Sequence, residues 1–118
     1  LTRIRALLEQ TRETTDPLEA VRLLGEARRA LDAVSEEAMA RAVLEGRSVR
    51  QVGDAAGIAP NSVPPRLARS TTLGGYTSGQ TITGPDIDQA RLDAAISRSQ
   101  GLRFQPRRRT DREDQPHD

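Results

Sequence analysis

An all-α fold is what this sequence predicts, and three observations predict it. Hydrophobic residues make up 35% of the chain and aromatics only 2%, so a core must be built from Leu, Val, Ile and Ala. Such an inventory suits packed helices better than a sheet, where aromatic and β-branched side chains are enriched. Apolar residues recur at spacings of three and four, the period of a helix face, and Pro17, Gly46 and Pro85 fall at the edges of those stretches.

The elements follow in order. Leu1, Ile4, Leu8 and Thr11, widened by Leu7, form the apolar seam of a first helix over residues 1–12. Thr14, Thr15 and Asp16 offer N-caps, and Pro17 suits a first helical position, where its missing N–H costs nothing. Ala20, Leu24, Ala27, Leu31 and Val34 then repeat in heptad-like register, flanked by Leu18, Val21 and Leu23. Arg22 with Glu26, and Arg28 with Asp32, make i,i+4 pairs on the solvated side, each worth about 0.2–0.5 kcal/mol. The two helices are expected as an antiparallel hairpin turning at residues 12–16. Ser35 caps a further helix through Met39, Ala42 and Val43, or the second helix runs on to Glu45; Gly46 ends it either way.

Residues 47–69 predict a helix, a Gly-centred turn and a second helix presenting polar and arginine side chains. With Gly57 as the turn residue at positive φ, Val52 and Ala56 face inward before it. Ile58, Val63 and Leu67 complete the buried set after it, and Gly53 sits where the two helices touch. A second helix starting at Pro60 would place Pro64 in its interior at a cost of ~3 kcal/mol. Starting at Val63, with Asn61 or Ser62 as cap, puts Pro64 and Pro65 in the first turn, where amide donors are orphans anyway. That helix spans Val63–Arg69, after an extended turn over Ala59–Ser62; the proline after Val63 disfavours α geometry there, which suits a boundary residue.

The stretch Glu-Gly-Arg-Ser-Val-Arg-Gln-Val-Gly-Asp-Ala-Ala-Gly-Ile-Ala resembles the helix-turn-helix of small actinobacterial DNA-binding proteins. In those a long helix leads through Gly into Ser-x-Arg-x-Val/Ile-Gly/Ala-x-Ala-x-Gly-Val/Ile. The resemblance covers residues 36–69 and departs at Pro64 and Pro65. It implies double-stranded DNA binding as a dimer, in transcriptional or mobile-element control. In a major groove Asn61, Ser62, Arg66 and Arg69 would face the bases, since Asn suits adenine and Arg guanine. Arg47 and Arg50 would contact phosphates and set register.

After Arg69 the composition changes. Residues 70–84 are rich in Gly, Ser and Thr and predict a loop or a small β-wing turned at Gly74-Gly75 and Ser78-Gly79, with Tyr76 and Ile82 as its large apolar side chains. Pro85 opens a helix that ends near Ser99–Gly101, with Asp86 and Asp88 favourable to the dipole in its first turn. Residues 102–118 are expected as a disordered mixed-charge tail. The expected domains are therefore 1–69, 70–84, 85–101 and 102–118.

Composition narrows function. All 18 basic residues are Arg, against 17 acids, for a net charge of +1. Only residues 48–84 carry a basic excess, 3 Arg to 1 acid. Affinity for nucleic acid would therefore need two copies, the tail, or both. Arg107, Arg108 and Arg109 could add an arm, but Asp111, Glu113 and Asp114 favour a neutralised linker. The absence of Cys and a single His (His117) exclude a thiolate site or a metal cluster. The carboxylates are spread over helix faces, so neither enzymatic activity nor a cofactor or small-molecule ligand is expected. No membrane span or signal peptide is visible, which predicts a cytoplasmic protein. The expected partners are double-stranded DNA and a second copy through the N-terminal helices; the rival expectation is a helical adaptor that binds protein alone.

Overall fold

A computed structural model describes residues 1–108, and among them it is all-helical. Five α-helices follow in order: α1 (Thr2–Glu13), α2 (Pro17–Leu44), α3 (Val49–Ala56), α4 (Val63–Arg69) and α5 (Gly84–Ser99). Short 3₁₀ turns lie at Pro60–Ser62 and Gly74–Tyr76. Packing divides the chain inside α2, into Leu1–Ser35 and the residues from Glu36 onward. The composition change at residue 70 therefore lies within the second unit.

In the first unit, Leu7 is buried with Leu23 and Ala27. Arg3 Nη2 lies 3.3 Å from Glu26 Oε2. These two pairings run α1 and α2 antiparallel. The helix phase differs from the sequence expectation. Leu8, Leu24, Leu31 and Val34, read as seam residues, are 47%, 46%, 53% and 44% exposed. Ala27 is buried and Ile4, Thr11 and Ala20 are half-buried as expected. Leu7 and Leu23, expected only to widen the stripe, are buried in place of Leu8 and Leu24, because in an Ala-rich stretch several faces carry similar apolar content and only docking selects one. Of the two expected surface pairs, Arg22–Glu26 forms at 2.7 Å; Arg22 also grips Glu19, while Arg28 and Asp32 make no such pair among the described residues.

The long second helix continues without a break past Ser35, resolving the open alternative. It ends in a Schellman arrangement: the Gly46 amide donates to Val43 and the Arg47 amide to Ala42, at 3.1 and 3.0 Å. From α5, Arg91 donates to the Val43 carbonyl at 3.0 Å and the Arg47 carbonyl at 3.2 Å. One side chain thus satisfies the open end of α2 and the start of the next loop.

The second unit holds the larger core. Met39, Ala40 and Val43 of α2 meet Val52, Val63 and Leu67, together with Ile87 and Ala90 of α5. Leu73, Tyr76 and Ile82, from the Gly/Ser/Thr-rich segment, are buried in the same cluster. That segment is therefore neither a wing nor a loop lying off the fold. Its β-structure among the described residues is a single bridge, Ser78 to Thr81. Thr83 and Asp86 form a reciprocal capping box at the start of α5, so Asp86 caps the helix as well as facing its dipole. Residues 102–108 carry no regular secondary structure; the remainder of the expected tail lies outside the described residues.

Candidate nucleic-acid interface

The region that could meet nucleic acid is built from the start of α3 upward. Ser48 caps α3: its hydroxyl accepts from the Gln51 amide at 3.0 Å, and the Gln51 side chain accepts from the Ser48 amide at 3.0 Å. The helix ends at Gly57, whose φ of 74° is the left-handed geometry expected of the turn residue. Between them, Gly53 lies where the chain returns most closely. A Cβ there would stand 3.1 Å from the Ile58 carbonyl oxygen and 3.3 Å from a Val63 methyl. Only glycine permits that approach without a shift in its neighbours.

The second helix of the pair begins at Val63 and ends at Arg69, as the proline argument requires. Both prolines fall in its first turn. Two details differ from expectation. Ala59 alone is extended and Pro60–Ser62 form a 3₁₀ turn, with no side-chain cap from Ser62. Val63 adopts helical φ and ψ of −70° and −48° despite the proline that follows it. Burial of its side chain, 0% exposed, outweighs that local preference.

The inward set is largely as expected. Val52, Val63 and Leu67 are in the core, and Ile58 packs against it half-buried. Ala56, expected inside, is exposed. It is the last residue of α3, and the left-handed turn at Gly57 carries the chain inward only at Ile58.

The six candidate contact residues fall into two groups. Arg47, Arg50, Asn61 and Ser62 are exposed, as is the side chain of Arg69, while Arg66 is half-buried. Arg50 and Arg66 have no carboxylate partner among the described residues. Arg69 does: its Nε lies 3.2 Å from Glu36 Oε2. Glu36 is 8% exposed, so Arg69 supplies the counter-charge that a buried carboxylate needs. Sequence reasoning missed this pair because the two residues are far apart in the chain and each looks like a solvated surface charge.

A second polar network anchors the chain that follows α4. Glu37 accepts hydrogen bonds from the Thr71 amide and from the Thr72 amide and hydroxyl. Partial burial would raise its pKa, but these donors outweigh that and hold it below the ordinary glutamate value. The Tyr76 hydroxyl donates to Asp93 Oδ2 at 2.6 Å. Burial, helped by that carboxylate, pushes the Tyr76 pKa up to about 12. The same bond, aided by Gln89 and Arg107, lowers that of Asp93 against the cost of its burial. Arg107, expected in a neutralised linker, instead lies against Tyr76 and Asp93: its guanidinium carbon is 5.1 Å from the Tyr76 ring centre and its Nε 3.4 Å from Asp93. The expected contribution of Arg109 and its acidic neighbours lies outside the described residues.

Among the described residues no group of His, Asp or Glu is arranged to hold a metal ion, and no helix is long and apolar enough to cross a membrane. Compared with known proteins, the chain matches no family model, no curated protein and no solved structure.

Proposed function

We propose that the chain binds double-stranded DNA through α3 and α4 acting as a helix-turn-helix, in a regulatory and non-enzymatic role in the cytoplasm. One observation carries the reading. The close contact at Gly53 and the left-handed turn at Gly57 hold two short helices over a shared aliphatic core, leaving Arg50, Asn61 and Ser62 exposed and Arg66 half-buried without a carboxylate partner among the described residues. Arg66 and Asn61 are the base-reading candidates, since guanidinium and amide groups match the edges of guanine and adenine. Arg47 and Arg50 flank the capped start of α3 and are assigned to phosphates. Arg69, engaged with Glu36, is assigned to structure first and to DNA second.

The exposed apolar residues of the first unit, Val21, Leu24, Leu31 and Val34 among them, support a second copy as the partner of that unit. Two copies double the phosphate contacts available to a chain of net charge +1. The same residues favour the second reading, a helical module that binds only protein. Salt separates the two. Fluorescence anisotropy with labelled duplexes should show affinity falling steeply as salt rises, and Arg66→Ala should weaken binding and relax base preference. A chain that binds no duplex even in dilute buffer is not a DNA reader.

A further inference from the structure

A depression of about 450 Å³ opens beside the C-terminal end of α4, within the volume range of ligand sites. Three arginines line it: Arg69 from α4, and Arg107 and Arg108 from the chain after α5. Ser70, Thr71, Gly74, Gln105 and Pro106 complete the lining, and no acidic residue is among it.

The depression exists because the chain after α5 returns across the 3₁₀ turn at Gly74–Tyr76. A Cβ on Gly75 would collide with the carbonyl of Arg107, so that close approach requires glycine. Two of the three guanidiniums are held in place. Arg69 is braced through its Nε by Glu36, and Arg107 by Asp93 and the Tyr76 ring. Each guanidinium carries five N–H donors, so a single contact at Nε leaves others to point elsewhere. The nearby carboxylates have other partners as well: Asp93 accepts from Tyr76 and Gln89, at 2.6 and 2.8 Å, and Glu37 from Thr71 and Thr72. Arg108 has no carboxylate partner among the described residues. Guanidinium groups, two of them braced, gathered around one depression are suited to the tetrahedral oxygens of a phosphate.

We propose that this depression seats a phosphate group, and that the phosphate is one of the DNA backbone lying beside α4. The assignment rests on the DNA-binding reading above and extends it: Arg107 and Arg108 hold backbone while α4 faces the bases. The test compares the intact chain with Arg108→Ala, a change at an exposed side chain, in anisotropy titrations across a salt series. Amide shifts on addition of inorganic phosphate are recorded in parallel. The expected result is a salt slope lower by ~0.9 in Arg108→Ala, one phosphate contact, with base preference unchanged and restored slope in Arg108→Lys. If the intact chain binds duplex and the slope does not change, the seat is wrong and the reading survives. If no duplex binds but inorganic phosphate moves the Ser70, Thr71 and Gly74 amides, and Arg108→Ala abolishes this, the seat stands for a free phosphorylated ligand and the DNA reading fails. If neither binds, both fail.

Discussion

The two units of this chain use similar aliphatic residues to opposite effect. From Glu36 onward, Val43, Val63, Leu67 and Leu73 are all 0% exposed and converge in one cluster. In Leu1–Ser35 the buried cluster is Leu7, Leu23 and Ala27, while Leu18, Val21 and Leu31 are more than half exposed. A long helix pair offers a wide apolar surface, and one partner helix covers only a strip of it. Short elements joined by tight turns can close around a centre from several directions. The second unit is thus closed around one centre, while the first leaves apolar area exposed.

The largest effect that sharpens this contrast is expected from Leu67→Ala. Emptying a fully buried leucine site should cost about 2–5 kcal/mol in urea unfolding. Leu24→Ala in the first unit should stay within ~0.5 kcal/mol, as at other surface positions. Equal costs would erase the distinction between the units. Next comes Gly53→Val, which pushes a branched side chain toward the Ile58 carbonyl and Val63. Overpacking there should cost about 1–3 kcal/mol and reduce duplex affinity as well, because α3 and α4 must move apart.

Tyr76→Phe should cost about 1.5–3 kcal/mol, the range for a hydrogen bond to a charged group. Its pH dependence has a definite sign. The raised pKa of Tyr76 adds stability that is complete below the ordinary value of 10.0 and is lost as pH rises toward about 12. The lowered pKa of Asp93 adds stability present above the ordinary aspartate value and lost as pH falls through its folded-state value. Thermal unfolding against pH should therefore show a decline above pH 10.0 that Tyr76→Phe removes. The smallest stability effect is reserved for Leu31→Glu. It should leave unfolding nearly unchanged yet abolish self-association in sedimentation; if the chain is already monomeric at high concentration, the exposed stripe is not a contact between copies.

Legibility in the sequence followed the same divide. The α3–α4 pair could be read closely because its signals are local: a glycine before the turn, a glycine in the turn, and two prolines that fit only a first helical turn. Val63–Arg69 emerges with its bounds from that logic alone. The helix phase in the first unit was legible in part: Ile4, Thr11 and Ala27 lie on the covered side as read. Leu7 and Leu8, or Leu23 and Leu24, are equivalent until a partner helix selects one. Leu73, Tyr76 and Ile82 were hidden by the glycines and threonines around them, which suggest a loop while their apolar neighbours fill the core. Pairings across the chain were invisible for a different reason. Arg69 with Glu36, Arg91 with the end of α2, and Arg107 with Asp93 join residues whose proximity depends on the finished fold.

Mapping amide shifts of the labelled chain as duplex DNA is added at low salt tests the proposed assignment of α3 and α4 to DNA most directly. Perturbations should concentrate at Arg47–Arg50 and at Asn61–Arg69, with little change at the buried residues of α5. Shifts confined to Leu1–Ser35, or no shifts at all, would contradict the assignment of α3 and α4 to DNA.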